Sequence, residues 1–377
     1  MTSRALYIHI PWCIRKCPYC DFNSHKSPDT LPESNYIDVL IEDFKHDLAQ
    51  FPTQNLTSIF IGGGTPSLFS AKAYEQLFSS LQALVAFDSE IEITLEANPG
   101  TFEQERFKAY RQLGINRLSI GIQSFNPTHL KILGRIHDDQ QALKAIDTAR
   151  KAGFDNLNID LMHSLPDQTL EQGLEDLNTA INLSPEHLSW YQLTIEPNTV
   201  FYKTKPALPS ETICCDLEEQ GLKRLQQADF ERYEISAFAK PGKSTKHNEN
   251  YWTYGDYFGI GAGAHGKLTA DDHSIYRTQK PRQPKDYLAL DFACRAKLDK
   301  VSVEDLIFEF MLNTTRLQAV IPLGLFQLKT GLPINALTPK LKEAEAKGFI
   351  QLTETLWQVT SLGRQFTNDL QGMFLPD

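Results

Sequence analysis

The stretch Ile10-Pro11-Trp12-Cys13-Ile14-Arg15-Lys16-Cys17-Pro18-Tyr19-Cys20-Asp21-Phe22 decides the fold. Its three cysteines, Cys13, Cys17 and Cys20, are spaced C-x3-C-x2-C. Three thiolates this close can take one face of a [4Fe–4S] cube, one per iron. A cube held wholly by protein usually has a fourth cysteine, and none follows within reach. The fourth iron is then open to a small chelator. An α-amino acid can chelate it through its amino and carboxylate groups, and S-adenosylmethionine (SAM) carries both. A reduced cluster can pass one electron to the sulfonium, giving methionine and a 5′-deoxyadenosyl radical. The competing reading is zinc, which favours C-x2-C pairs and four ligands; His9 or His25 could supply the fourth. Purely structural cysteines suit a core better than a loop.

With an aromatic, Tyr19, before the last cysteine, this spacing resembles the radical SAM superfamily. At 377 residues the chain is long enough for two or three units, and 41% hydrophobic with 22% charged residues describes an ordinary globular protein. A net charge of −10 argues against a nucleic-acid surface. Of six cysteines three are clustered, Cys214 and Cys215 are adjacent, and Cys294 stands alone. That is no secreted disulfide framework, so a reducing, cytoplasmic compartment is expected. The apolar run Ala5–Ile10 is short and contains His9, unlike a signal peptide. No apolar run reaches the ~18 residues of a membrane span.

Short apolar runs recur at Ala5–Ile10, Ser58–Ile61, Ile91–Leu95, Arg117–Ile122, Leu157–Leu161 and Leu188–Leu193. Each precedes a stretch with helical spacing. The first holds Tyr36, Ile37, Leu40, Ile41, Phe44, Leu48 and Phe51; others run through Ala73–Leu84, Phe102–Leu113, Gln140–Ala152, Leu170–Ile181 and Cys214–Ala228. Alternating strand and helix is the pattern of parallel βαβ units. Six such repeats predict an α/β fold, a partial (β/α)6 barrel with its chemistry at the strand C-terminal ends. A seventh strand is expected near Tyr233–Phe238.

The residues after each strand agree. Gly62-Gly63-Gly64-Thr65-Pro66-Ser67 follows the second. Glycines let backbone approach a ligand closely, and the absence of a Lys-Ser/Thr pair excludes a P-loop; a tight turn is the plain alternative. Strand three ends in Glu96, a carboxylate suited to the two ribose hydroxyls of SAM. Gln123 ends strand four, and Arg135 beyond it could hold a carboxylate bidentately. Asp160 ends strand five, followed by His163. Glu96, Gln123 and Asp160 on successive strand ends point to one polar pocket.

The resemblance narrows with Tyr7-Ile8-His9-Ile10-Pro11, Leu95–Pro99, Gly121–Phe125 and Asn158–Leu161, which are similar to the oxygen-independent coproporphyrinogen III oxidase branch over nearly the whole chain. It implies cluster ligands at Cys13, Cys17 and Cys20. It also implies SAM contacts at Tyr7, Tyr19, Gly63, Gly64, Thr65, Glu96, Gln123, Arg135 and Asp160, some of which meet a second SAM in the oxidase. Two departures matter. Phe22 stands where the oxidase motif C-x3-C-x2-C-x-C has its last cysteine, and the oxidase's long N-terminal arm has no counterpart before residue 5. Both are features of HemW-type haem chaperones, as is His247-Asn248-Glu249-Asn250-Tyr251-Trp252, the H-N-x-x-Y-W signature. An imidazole can ligate haem iron and aromatic rings can face a porphyrin, so His247, Tyr251 and Trp252 are candidate haem contacts. The alternative is a loop whose aromatics pack on the barrel. Gly259–Gly266 follows no strand-to-helix unit of the dinucleotide type and reads as backbone packing near the adenine side of SAM. His265 beside it is a second candidate haem ligand.

The barrel unit is expected over residues 1–268, followed by a polar connector at 269–286 marked by Asp271-Asp272, Pro281 and Pro284. A small helical, winged-helix-like domain is expected over 287–377, with helices at Val303–Leu312, Leu323–Lys329, Thr338–Lys347 and Leu362–Phe374. Its hairpin is placed at Lys347–Leu352 and Leu356–Val359. Two functions compete. One is a haem chaperone that transfers haem to haemoproteins, membrane respiratory enzymes being candidate recipients and a homodimer a candidate state. The other is a radical SAM enzyme that decarboxylates coproporphyrinogen III. Phe22, the absent arm and the H-N-x-x-Y-W motif favour the first.

Overall fold

The computed structural model describes residues 3–100, 104–289 and 297–376. Six parallel strands run in chain order: β1 (Arg4–Ile10), β2 (Asn55–Gly63), β3 (Ala86–Ala97), β4 (Arg117–Gln123), β5 (Leu157–His163) and β6 (His187–Gln192). Neighbours in sequence are neighbours in the sheet, each pairing parallel with the next. Helices α1 (Glu33–Gln50), α2 (Ala71–Leu84), α3 (Gln104–Gln112), α4 (Pro127–Ile132), α5 (Asp139–Lys151) and α6 (Leu170–Asn182) fill the crossovers. The predicted helix at Phe102–Leu113 thus lies at α3; residues 102 and 103 fall outside the described residues, as does Cys294.

Local signals set these elements. Asp138 with Gln141 forms a capping box at α5, and Thr169 with Gln172 does the same at α6. The α1 stripe Tyr36, Ile37, Leu40 and Phe44 is fully buried against Leu6, Ile8, Ile59 and Ile61, which is why its helical spacing was readable. Strands β4 and β5 are apolar on their helix-facing side and carry Ser119, Gln123, Asn158 and Asp160 on the other.

The sheet extends beyond six strands at both ends. On the β6 side lie β7 (Glu231–Arg232) and β8 (Ala237–Ala239), both antiparallel. The seventh strand expected at Tyr233–Phe238 is therefore two short pieces, interrupted by a turn in which Glu234 accepts from the Ser236 backbone. On the β1 side, β9 (Tyr257–Ile260) runs parallel to β1. It is followed by antiparallel β10 (His265–Thr269), β11 (Ile275–Gln279) and β12 (Lys297–Lys300).

Residues 269–286 are thus not a connector. They complete a β-hairpin of the main sheet. Only the turn at Asp271-Asp272 and the segment around Pro281 and Pro284 are as polar and Pro-rich as a linker. Ile275 is buried, and Lys280 is buried against Asp43 (2.5 Å) and Asp47 (2.9 Å) of α1. An ion pair inside a core is strongly destabilising to break, so this segment is fixed to the barrel.

The C-terminal unit contains α11 (Val303–Thr314), α12 (Leu323–Thr330) and α13 (Thr338–Ala346), after the one-turn α10 (Pro284–Leu288), the short helices α7 (Val200–Thr204) and α9 (Lys246–Trp252), and the longer α8 (Glu211–Gln227) of the barrel. A three-stranded antiparallel sheet of Ile321–Pro322, Ile350–Leu352 and Leu356–Val359 completes the winged-helix pattern. Its core, centred on Phe310, Phe326 and Trp357, also takes in Tyr254 and Ile275 from the barrel. Among the described residues no helix is long and apolar enough to cross a membrane.

Candidate functional site: the barrel mouth

The cysteine loop leaves β1 at Pro11. Trp12–Cys13 pairs in parallel with His25–Lys26 and ties the base of the loop. Trp12 is buried edge-on against Tyr36 (4.8 Å between rings). Cys13 is buried while Cys17 and Cys20 are half-buried. Burial pushes the Cys13 and Cys20 thiols up, so iron must displace protons to bind there. Arg135 Nη1 sits 3.6 Å from Cys17 Sγ. Among the described residues no three His, Cys, Asp or Glu side chains converge on a single metal ion. A cube needs three thiolates around one space, each on its own iron.

The glycine loop sits beside it. Gly64 N–H donates to the Ile10 carbonyl and Thr65 N–H to the Trp12 carbonyl, both at 2.7 Å. Gly63 has φ +115°, and a Cβ there would strike the His9 ring, so only glycine fits. Gly63 N–H donates to Glu96 Oε2 at 3.0 Å. Burial, reinforced by the charge of Asp160, pushes the Glu96 carboxyl up to about 8. The Asp160 carboxyl is also raised by burial, though it accepts from Asn158 (2.7 Å) and Ser119 (3.0 Å). Gln123 is held at φ +75°, a strained value for a non-glycine residue, and accepts from the Tyr191 hydroxyl at 2.7 Å. Arg135 donates to Asn98 Oδ1 and the Gly121 carbonyl, each at 2.5 Å, while among the described residues its buried Nε has no partner.

These groups surround one cavity of about 470 Å³, within the usual range for small-molecule sites. It brings together all three cysteines with Tyr19, Gly63, Gly64, Thr65, Glu96, Gln123, Arg135 and Asp160. Tyr7 is set apart: it lines an adjoining lateral opening of about 330 Å³ that shares Gly63, Glu96 and Phe22 with the main cavity. The donor set fits SAM. The buried Glu96 carboxyl, with a single backbone donor, suits ribose hydroxyls, and Arg135 suits a carboxylate. Asn98, Ser119 and Tyr191 also line the cavity or orient its polar groups, and sequence reasoning missed them. Asn98 lies two residues from Glu96 and Ser119 pairs with Glu96 across the strands, whereas Tyr191 pairs with Met162 and carried no such signal.

The floor of the barrel is different. Helix α9 enters it, with Glu92 of β3 accepting from the Lys246 and His247 backbone amides. His247 is buried among Ser58, Phe60 and Tyr251. Its Nδ1 is 2.9 Å from Ser58 Oγ and its Nε2 is 2.8 Å from the Tyr251 hydroxyl. Burial lowers its pKa to about 3, so it is neutral. With both nitrogens engaged inside the barrel, His247 is not placed to ligate haem iron, contrary to the expectation from its sequence motif. Trp252 lies under Arg316 of the C-terminal unit, with 4.2 Å between guanidinium and ring, and joins the two units instead of offering a free porphyrin face. Tyr251 reaches the lateral opening, as does His265. His163, also singled out from the sequence, is buried against Trp190 with 4.3 Å between rings.

A mouth built of three thiols, a glycine loop and paired carboxylates on a six-stranded parallel barrel defines a protein of the radical SAM type. The Radical SAM superfamily model matches residues 7–180, and the HemN C-terminal domain model matches residues 301–366. The chain is 48% identical to the curated heme chaperone HemW of Haemophilus influenzae, covering 99% of this chain and 98% of that protein. It is 47% identical to heme chaperone HemW of Escherichia coli, over 99% and 98%. Among solved structures, the E. coli coproporphyrinogen III oxidase HemN, a radical SAM enzyme, superposes with a TM-score of 0.82 at 23% identity over 99% of this chain and 90% of that one; this likeness speaks for the fold. The chain therefore belongs to the HemW family of radical SAM proteins, a superfamily whose members carry a [4Fe–4S] cluster and SAM.

Proposed function

We propose that this protein binds haem and hands it to recipient haemoproteins in the cytoplasm, on a barrel that holds a [4Fe–4S] cluster through Cys13, Cys17 and Cys20. The observation that carries this reading is full-length similarity, at 47–48% identity, to proteins named heme chaperones. Phe22, 60% exposed where the oxidase motif has a cysteine, agrees with it.

Within this reading the chain's own residues do the following. Cys13, Cys17 and Cys20 would hold the cluster, with SAM bound beside it. Gly63 and Gly64 bring backbone to the amino-acid end of SAM. Glu96 accepts from the ribose hydroxyls, and binding of donors there replaces the proton that burial otherwise keeps on it. Arg135 offers its unpartnered Nε to a carboxylate. When bound, the cluster would supply one-electron reduction. Membrane respiratory enzymes are proposed recipients, and a homodimer a proposed state.

The test is anaerobic haem titration of the reconstituted protein followed by transfer to an apo-haemoprotein. Stoichiometric binding with transfer supports the reading. Failure to bind haem, together with turnover of coproporphyrinogen III, would replace it by the oxidase.

A further inference from the structure

The lateral opening is walled largely by aromatic rings. Its walls include Tyr7, Tyr251 and Tyr257, with Phe22 at the rim. The Tyr251 hydroxyl bonds His247 and the Tyr257 hydroxyl accepts from Arg277 at 3.1 Å. With their hydroxyls committed away from the opening, these residues present ring surface to it, as an apolar planar ligand needs. Tyr251 and Tyr257 are set edge to face, 4.5 Å between rings, which fixes both.

Two histidines, His9 and His265, line this opening, and His25 neighbours Asn23 of its lining. His9 is engaged at both nitrogens, by the Tyr7 hydroxyl and the Asn23 carbonyl. His25 points Nε2 at Asn23 and at the Arg282 carbonyl. His265 is exposed, and among the described residues its ring has no hydrogen-bond partner. Partial burial and the nearby Arg277 and Arg282 lower its pKa, keeping it neutral as an iron ligand must be. Two cations stand at the same rim. Lys16 Nζ bonds the Phe22 carbonyl at 3.0 Å, and exposed Arg282 lies near both His25 and His265. Among the described residues neither is in an ion pair.

We propose that haem docks by one edge in this lateral opening, its iron ligated by His265, its macrocycle against Tyr251, Tyr257 and Phe22, and its propionates toward Arg282 and Lys16. This rests on the haem-binding reading above and places the cargo site. An opening of about 330 Å³ covers only part of a macrocycle, which suits cargo that must leave. Because Gly63, Glu96 and Phe22 belong to both cavities, haem and SAM would sit side by side.

The experiment is a haem titration of the anaerobically reconstituted full chain in the Soret region, with His265→Ala and Arg282→Glu variants. His265→Ala should weaken haem at least tenfold and change the Soret position, and free imidazole should restore that position. Arg282→Glu should weaken haem while keeping the wild-type Soret position. Both residues are exposed, so both variants should fold. Stoichiometric haem on the wild type with an unchanged spectrum and affinity in His265→Ala would overturn this site alone. No stoichiometric haem on the wild type would overturn the chaperone reading and the site with it.

Discussion

The mouth and the floor of this barrel are built from the same polar residue types and end in opposite states. At the mouth, Glu96 is buried with one backbone donor, and among the described residues the buried Arg135 Nε has no partner. At the floor the histidines and asparagines answer one another. Asn158 bonds Asp160, Ser119 and His187; His187 bonds the Tyr233 hydroxyl at 2.8 Å; Asn248 reaches the same hydroxyl at 3.5 Å. His247 closes the row on Ser58 and Tyr251. A fully satisfied buried network specifies and rigidifies structure. A partly satisfied one in a cavity is where a ligand completes the bonding. Asp160 belongs to both regions and links them.

The contrast can be broken most severely at the cysteines. Cys17→Ala should abolish the cluster's charge-transfer absorption after anaerobic reconstitution and lower the thermal midpoint of the holo-protein, because cluster binding is coupled to folding. An unchanged midpoint would separate cluster from fold. Next is Glu96→Ala, which should weaken SAM about 10- to 100-fold, the range of a lost hydrogen bond to a charged group at about 1.5–3 kcal/mol, with little loss of helicity by circular dichroism.

A pH series sharpens the same point. Glu96 has its folded pKa raised to about 8 from 4.5. Its protonated form is therefore favoured by the fold, and its stabilising effect is full below 4.5 and lost as pH rises toward 8. The apo-protein should lose stability across that window, and Glu96→Gln should flatten the loss. SAM should bind more tightly as pH rises through the same range, since the carboxylate is the better acceptor. A flat denaturant midpoint in the wild type would contradict the burial of this group.

At the floor, His247→Ala should cost about 1–3 kcal/mol by chemical denaturation, because it leaves buried partners unsatisfied, and should change SAM affinity less than Glu96→Ala does. The smallest effect falls at the rim: His265→Ala should stay within about 0.5 kcal/mol of wild type. A large stability loss there would mean that His265 is structural.

The sequence displayed the mouth well because cluster chemistry, close backbone approach and strand ends each demand particular residues at short spacing. Cys13, Cys17, Cys20, Gly63, Gly64 and Glu96 are legible for that reason. The six parallel strands were legible too, since each is apolar and followed by a periodic helix. The floor was not. Whether His247 faces a ligand or Ser58 depends on which end of the barrel α9 enters, and that is set by contacts 189 residues apart. The same limit hid β11. Lys280 and Arg277 look like connector residues until their partners, Asp47 and Glu309, are seen in other parts of the chain.

The most direct test of the central claim, a three-thiolate cluster whose open iron meets SAM at the mouth, is electron paramagnetic resonance of the reduced, reconstituted protein with and without SAM. The account predicts a [4Fe–4S]⁺ signal that changes shape and position on adding SAM in the wild type and changes far less in Glu96→Ala. A signal indifferent to SAM in the wild type would contradict it.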